Sequence, residues 1–271
     1  MLKYRLVALD IDGTLLDSMH IIPEENRLII QKLHQQGIEF LLVTGRPDAL
    51  AKQYTDQLGI PPIIVGNNGA TVRNVQTEEL QVAEFIRKDI AVEVINCLLS
   101  RGIYFRIYGV DSVISLFPDD FDETKNEFAL FSQRLAGQMN FVITGSDAPI
   151  EMDIVKISCF SHDQQLLVQV RDELRYIADV EVVRGASVCL DVMKRGISKG
   201  NALINYANQK GIAPEEIIAF GDSENDASML KLVGMPIAMG NAEDSLKTIA
   251  KKVTSTNDQA GVAHALTEIF Q

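Results

Sequence analysis

Short apolar runs alternate with amphipathic stretches at both ends of the chain, and the rhythm breaks in the middle. Residues 4–9 form a short apolar run with little alternation, the pattern of a strand covered on both faces. Residues 23–36 place Leu28, Ile29 and Leu33 among polar positions, with Pro23 at the start and Gly37 at the end, which predicts a helix. A second buried strand is expected over 38–43, a helix over 48–58 ended by Gly59, and a third strand over 62–65. Gly66-Asn67-Asn68-Gly69 then reads as a turn into a hairpin. The far end repeats the pattern, with strands over 217–220 and 235–239 and helices over 225–232, 243–250 and 262–270. Alternation of this kind predicts an α/β fold, a Rossmann-like parallel sheet with helices on both faces.

Between residues 84 and 196 the texture changes. Helical stretches over 89–101 and 164–178 lie among β-rich runs over 102–108 and 153–160. A segment of ~110 residues can hold its own core. The expected organisation is a catalytic core of residues 1–83 and 197–271, interrupted by an α+β domain of residues 84–196.

Composition narrows the function classes. A formal charge of −12 disfavours nucleic acid as a partner, since phosphate backbones are bound by clustered Lys and Arg. The N-terminal residues carry no apolar core of a signal peptide, and no apolar run is long enough to span a bilayer. Cys97, Cys159 and Cys189 are odd in number and widely spaced, so they read as buried thiols in a reducing compartment, and a cytoplasmic location is expected.

Candidate chemistry gathers where strands end. Asp10-Ile11-Asp12-Gly13-Thr14 follows the first strand directly, and ligands of open α/β sheets sit at the carboxyl ends of strands. If the backbone stays extended, Asp10 and Asp12 turn to the same side, where two close carboxylates call for a cation or a shared proton. A turn-capping role for both is the plain alternative. Thr44-Gly45-Arg46 closes the second strand with a hydroxyl and a bare backbone that can donate to phosphate oxygens. Gly221-Asp222-Ser223-Glu224-Asn225-Asp226 follows a later strand and supplies hard oxygen ligands of the kind that select magnesium, with helix capping by Asn225 or Asp226 as the alternative. Counted from Asp222, the sixth residue is Ala227 and the twelfth Val233, so this is not an EF-hand. Ser198-Lys199-Gly200 stands where the insertion returns to the core and lacks the spacing of a P-loop.

Taken together and in this order, DIDGTLL, VTGR, SKG and GDSEND resemble the four motifs of the haloacid dehalogenase superfamily over the whole chain, and the long insertion is similar to the α/β cap of the Cof-like phosphatases. The tail from Thr256 to Val262 is similar to theirs as well, with Ala260 where an acid is common. The resemblance implies a Mg2+-dependent phosphatase acting on small phosphorylated metabolites, sugar phosphates foremost. It makes Asp10 the nucleophile of an aspartyl-phosphate and Asp12 the acid and base. Magnesium would be held by the side chains of Asp10 and Asp222 and the carbonyl of Asp12. Thr44, the Ile11 and Gly45 amides, Lys199 and Asn225 would bind the phosphoryl oxygens, with Asp226 orienting Lys199 or metal-bound water. Arg46 and Asn68 are candidate substrate contacts by position. A phosphomutase of the phosphomannomutase type and a non-catalytic regulatory protein on the same fold are the competing readings. The sequence leaves the substrate and the oligomeric state open.

Overall fold

In a computed structural model, residues 3–116, 140–144 and 151–271 are described. Met1, Leu2 and parts of the 84–196 insertion read above lie outside the described residues. By its internal contacts the chain divides into two compact units, Met1–Val82 with Ser198–Gln271, and Ala83–Ile197.

The chain opens with β1 (Leu6–Leu9), β2 (Glu39–Val43), β3 (Ile63–Gly66), β4 (Thr71–Asn74) and β5 (Glu79–Ala83). It then builds the inserted unit from β6 (Tyr104–Tyr108), β7 (Ser112–Leu116), β8 (Asn140–Thr144), β9 (Lys156–Phe160), β10 (Val180–Ala186) and β11 (Cys189–Lys194). It returns with β12 (Ile217–Gly221), β13 (Met235–Ala238) and β14 (Lys252–Val253). The first unit holds one sheet in the order β14-β13-β12-β1-β2-β3-β4-β5. The pairs from β14 to β3 are parallel, and β4 turns back antiparallel on β3. Successive strands therefore step away from β1 in one direction early in the chain and in the other after the insertion. Where the direction reverses, between β1 and β12, the connecting segments part and leave a crevice at the strand ends.

Every residue of β1 is buried, which is why its sequence shows no polar alternation. The helix Glu24–Gln35 starts after Pro23, carries Glu24 and Glu25 in its first turn and Lys32 and His34 in its last, a charge order that suits the helix dipole. Its buried residues are Asn26, Ile30 and Leu33, while Leu28, expected on the apolar stripe, is exposed. The expected helix over 48–58 is a tight turn, Asp48–Ala51, followed by the helix Lys52–Leu58. The buried Asp48 carboxylate accepts from Ala49 N–H (2.8 Å) and pairs with Arg73 at 3.2 Å, so this first turn is also tied to the β4 strand.

The inserted unit forms a second sheet, β10-β11-β9-β6-β7-β8, antiparallel except for the β7–β8 pair. Phe105, Ile107, Ile157, Cys159, Leu190 and Val192 share an apolar core with the helices Lys88–Ser100 and Gln164–Tyr176. The alternate positions Tyr104, Arg106, Lys156, Ser158 and Asp191 are also buried, as a polar layer in which Ser158 and Lys156 both hold Asp191. Of the three cysteines, Cys159 and Cys189 are buried, while Cys97 is half-buried with Sγ 3.7 Å from a Glu173 oxygen.

Asn26 is the polar tie between the helix Glu24–Gln35 and its neighbours. Its amide donates to the Leu15 carbonyl (3.2 Å) and accepts from the Ala263 N–H (2.9 Å), with no solvent exposure. Asn26→Ala is expected to leave both backbone groups buried and unpaired and to cost about 2 kcal/mol of stability. Urea unfolding monitored by circular dichroism measures the loss.

Candidate active site

Three strand ends converge at the crevice. Asp10 follows β1, and its N–H bonds to the Phe220 carbonyl (3.2 Å), continuing the β1–β12 ladder by one residue. Thr44 follows β2, donates its N–H to the Val65 carbonyl (2.8 Å) and accepts the Arg46 N–H on Oγ1 (3.1 Å). Asp222 follows β12. The fourth contribution comes from the helix Lys199–Gln209, whose N-terminus is set by the Ser198 hydroxyl accepting from Asn201 N–H (3.1 Å).

The Lys199 ammonium is the centre of the arrangement. Its Nζ lies 2.6 Å from Asp10 Oδ1 and 2.7 Å from Asp226 Oδ1, and its side chain is 1% exposed. The other Asp226 oxygen accepts the N–H groups of Asp222 (2.9 Å) and Ser223 (3.1 Å). Asp226 therefore closes its own loop and aims Lys199; it does not cap the helix Ala227–Leu230 that follows. Asn225 does not cap that helix either: its Nδ2 donates to Asn68 Oδ1 (3.0 Å), and its buried Oδ1 accepts from no helix N–H. The expected helix over 225–232 is thus a turn, Glu224–Asp226, and then a short helix, since these side chains are spent on the site.

Asp222 is gripped from two sides, by the Thr14 hydroxyl at Oδ1 (3.0 Å) and the Ser223 hydroxyl at Oδ2 (2.9 Å). Gly13 lets the chain turn here with φ of +74°, and a Cβ on it would meet Asp222 Oδ2 at 2.5 Å. Gly45 approaches the other side of the crevice, where an added Cβ would lie 3.1 Å from Asn68 Oδ1 and 3.4 Å from Asn225 Nδ2. Asn68 itself is left-handed, with φ of +57°, and donates its N–H to the Thr44 carbonyl (3.0 Å). The site thus gathers Asp10, Thr44, Gly45, Asn68, Lys199, Asp222, Asn225 and Asp226. Ile11 is buried directly after Asp10.

Asp12 departs from expectation. The extended backbone does not persist past it, and its carboxylate turns away to pair with Arg46. Arg46 Nε donates to Asp12 Oδ2 (2.6 Å) and Nη2 to Oδ1, while Nη1 donates to Tyr54 Oη (3.2 Å). Arg46 is therefore a partner of Asp12. The sequence alone assigned no role to Thr14, Ser223, Tyr54 or His20. Nor did it show that Asn241 and Asn257 hold the Gly13 and Leu16 carbonyls at 2.8 and 2.9 Å. Thr14 stood within the first motif, and Asn257 within the recognised tail; these were the available signals.

The repulsion that Asp10 experiences comes from Asp226 and Asp222 rather than from Asp12. Burial first, then Asp226, raise the Asp10 carboxyl well above its ordinary range, and Lys199 pulls it part of the way back. Burial and then Asp226 push Asp222 up to about 6. Burial works against the charge of Lys199, yet Asp10 and Asp226 outweigh it and hold the lysine above its ordinary value. Three carboxylates, Asp10, Asp222 and Asp226, each offer an oxygen within 4.8 Å of the others. Against them stands one ammonium, so the buried cluster lacks two positive charges, which a divalent cation would supply. Asp226 is committed to the Lys199 ammonium and to two backbone N–H groups, whereas Asp222 meets only the Thr14 and Ser223 hydroxyls, so Asp10 and Asp222 are the carboxylates better fitted to ligate it.

The chain is similar to known proteins over nearly its whole length. The family model of the haloacid dehalogenase-like hydrolases matches residues 7–266. The chain is 30% identical over 287 residues to Phosphatase YwpJ of Bacillus subtilis, covering 98% of this chain and 100% of that protein. It is 29% identical to the 5-amino-6-(5-phospho-D-ribitylamino)uracil phosphatase YwtE of the same organism, with 98% of each covered. A solved haloacid dehalogenase-like hydrolase from B. subtilis superposes with a TM-score of 0.84 at 30% identity, over 97% of this chain and 99% of that one. Among the described residues no helix is long and apolar enough to cross a membrane.

The raised carboxyls give a pH signature. A carboxyl held above its ordinary range keeps a proton in the folded chain that the unfolded chain has released. Its stabilising contribution is full below the ordinary carboxyl range and is lost as pH rises through about 6 for Asp222. A bound cation competes with that proton. The rise in Tm caused by Mg2+ is therefore expected to be small near pH ~5 and clearly larger near pH ~8. Differential scanning calorimetry with and without Mg2+ at both values checks this, and equal increments would contradict the cluster as the binding site.

Proposed function

The chain belongs to the haloacid dehalogenase-like hydrolase family, and from that premise we propose that it is a Mg2+-dependent phosphatase of small phosphorylated metabolites, sugar phosphates foremost. The observation that carries the reading is the buried Asp10 carboxylate at the strand-end crevice, with one oxygen held by Lys199 at 2.6 Å. A carboxylate is a weak nucleophile, and it must be aimed at a phosphorus whose negative charge has been offset. Mg2+, bound by the carboxylates of Asp10 and Asp222 and the Asp12 carbonyl, would supply charge neutralisation between nucleophile and phosphoryl group.

Lys199 engages Asp10 Oδ1, which leaves Oδ2 to attack the phosphorus. The P–O bond to Asp10 forms as the ester oxygen departs and takes a proton from the Asp12 carboxyl. Asp12 then takes a proton from water as the water oxygen attacks the phosphorus, and the Asp10 carboxylate leaves with its electron pair restored. Inorganic phosphate and the free alcohol are the products. Thr44, the Ile11 and Gly45 N–H groups, Lys199 and Asn225 are the proposed holders of the phosphoryl oxygens. The inserted unit is read as the cap domain of such a phosphatase. The free cysteines suit a cytoplasmic setting.

Arg46 is the proposed positioning residue for Asp12. The two-pronged pairing fixes the plane of the carboxylate, and the proton step requires that one of its oxygens be yielded to the leaving group.

Asp10→Asn is expected to fold normally and lose at least ~10³-fold in kcat against sugar phosphates. Retention of near-normal turnover by the folded variant would contradict the mechanism. Arg46→Ala is expected to slow alkyl phosphates by about 10- to 100-fold. It should affect p-nitrophenyl phosphate, whose leaving group needs no proton, several-fold less. Steady-state kinetics on both ester types reads the difference, and an equal loss on both would show that Arg46 does not act through Asp12.

A further inference from the structure

Beside Asp12 the chain makes a small closed turn. The Asp17 carboxylate accepts the N–H groups of Met19 and Ile21, both at 2.9 Å. The Asp17 N–H donates to the Ile21 carbonyl (2.9 Å), and the His20 N–H to the Asp17 carbonyl (3.0 Å). The turn is moored to the far end of the chain by the Ser18 N–H, which donates to Asp258 Oδ1 (2.7 Å). At its tip His20 adopts φ of +59°, a left-handed conformation that costs a non-glycine residue free energy and is tolerated where the surroundings impose it. The result is an imidazole whose Nδ1 lies 3.7 Å from Asp12 Oδ1.

Exposure gives the direction in which substrate lies. The side chain of Asp10 is 7% exposed, that of Asp12 46% and that of His20 70%. The phosphoryl group belongs at the buried end, with Asp10. The ester oxygen belongs near Asp12, and the remainder of the leaving group extends outward past it, alongside His20. A proton donor works within about 3 Å of the atom it serves. The imidazole, 3.7 Å from the same carboxylate and more exposed than it, is within reach of the substituents just beyond an ester oxygen served by Asp12.

From this geometry we infer that His20 is a substrate-contacting residue. Its imidazole hydrogen-bonds a hydroxyl on the carbon next to the ester-bearing carbon, and so selects polyol-type leaving groups over plain alkyl ones. The inference rests on the phosphatase reading above and names the leaving-group chemistry of that same site. A site built to hydrogen-bond a substrate hydroxyl discriminates against the analogue that lacks it, because the polar group of the protein is then left without its partner. The backbone of the turn is already held by Asp17 and Asp258, so the contact need order only the imidazole itself.

The test compares glycerol 3-phosphate with n-propyl phosphate, which share a carbon count and differ in hydroxyls. The variants are His20→Ala and His20→Gly, the latter free of the left-handed backbone cost and so safe for folding. Wild-type enzyme is expected to favour glycerol 3-phosphate in kcat/KM, and both variants to reduce that preference by about fivefold. Inhibition by inorganic phosphate, which occupies only the buried end, should be unchanged. An unaltered preference in both variants, or an equal loss on both esters, overturns the role of His20. Absence of wild-type turnover on any phosphate ester with Mg2+ would instead overturn the phosphatase reading, and this inference with it.

Discussion

The structure of the first unit depends on one buried ion arrangement, the Lys199 ammonium shared between Asp10 and Asp226. Burying an unpaired ammonium is prohibitively costly, and burying three carboxylates around a single cation leaves an excess of negative charge. The first requirement is met by two carboxylates at hydrogen-bond distance. The second is met only in part by the Thr14 and Ser223 hydroxyls and by the backbone N–H groups of the Asp222 loop. What is left over is a local demand for a divalent cation beside Asp10 and Asp222. Fold stability and catalytic readiness thus make opposite demands on the same residues, and the raised carboxyls of Asp10 and Asp222 register that conflict.

The sheet places this arrangement where strand order reverses, so residues distant in sequence meet across one crevice. Asp10, Thr44 and Asp222 each come from a strand end, and Lys199 comes from the first turn of a helix. The loops between are fixed to one another by side-chain amides. Asn225 bonds Asn68, Asn241 bonds the Gly13 carbonyl, and Asn257 bonds the Leu16 carbonyl. These bonds set positions that a loop alone would leave loose.

Much of this was legible in the sequence. The buried strands declared themselves by continuous apolar runs, and Asp10, Thr44 and Asp222 each sat directly after one. The parallel sheet followed from that alternation, and the four motifs in order identified the family. What stayed hidden was set by tertiary contact. Asp12 was expected to turn to the same side as Asp10, but its carboxylate pairs with Arg46; no local pattern encodes a partner 34 residues away. The helices expected over 48–58 and 225–232 each begin as a separate turn, in which Asp48 also pairs across to Arg73 and Asp226 to Lys199. His20 carried no sequence signal, since its meaning lies in a left-handed backbone and a neighbour eight positions earlier. Leu28 misled because one exposed leucine fits the helical period as readily as a buried one.

The central claim is that Asp10 itself takes the phosphoryl group. Asp12→Asn with p-nitrophenyl phosphate isolates that event, because the first step then needs no proton donor while the second lacks its base. Rapid acid quenching followed by peptide mass mapping is expected to find a phosphoryl group on Asp10, formed together with a burst of nitrophenolate. A phosphoryl group on any other residue, or a stoichiometric burst with Asp10 unmodified, would contradict the account.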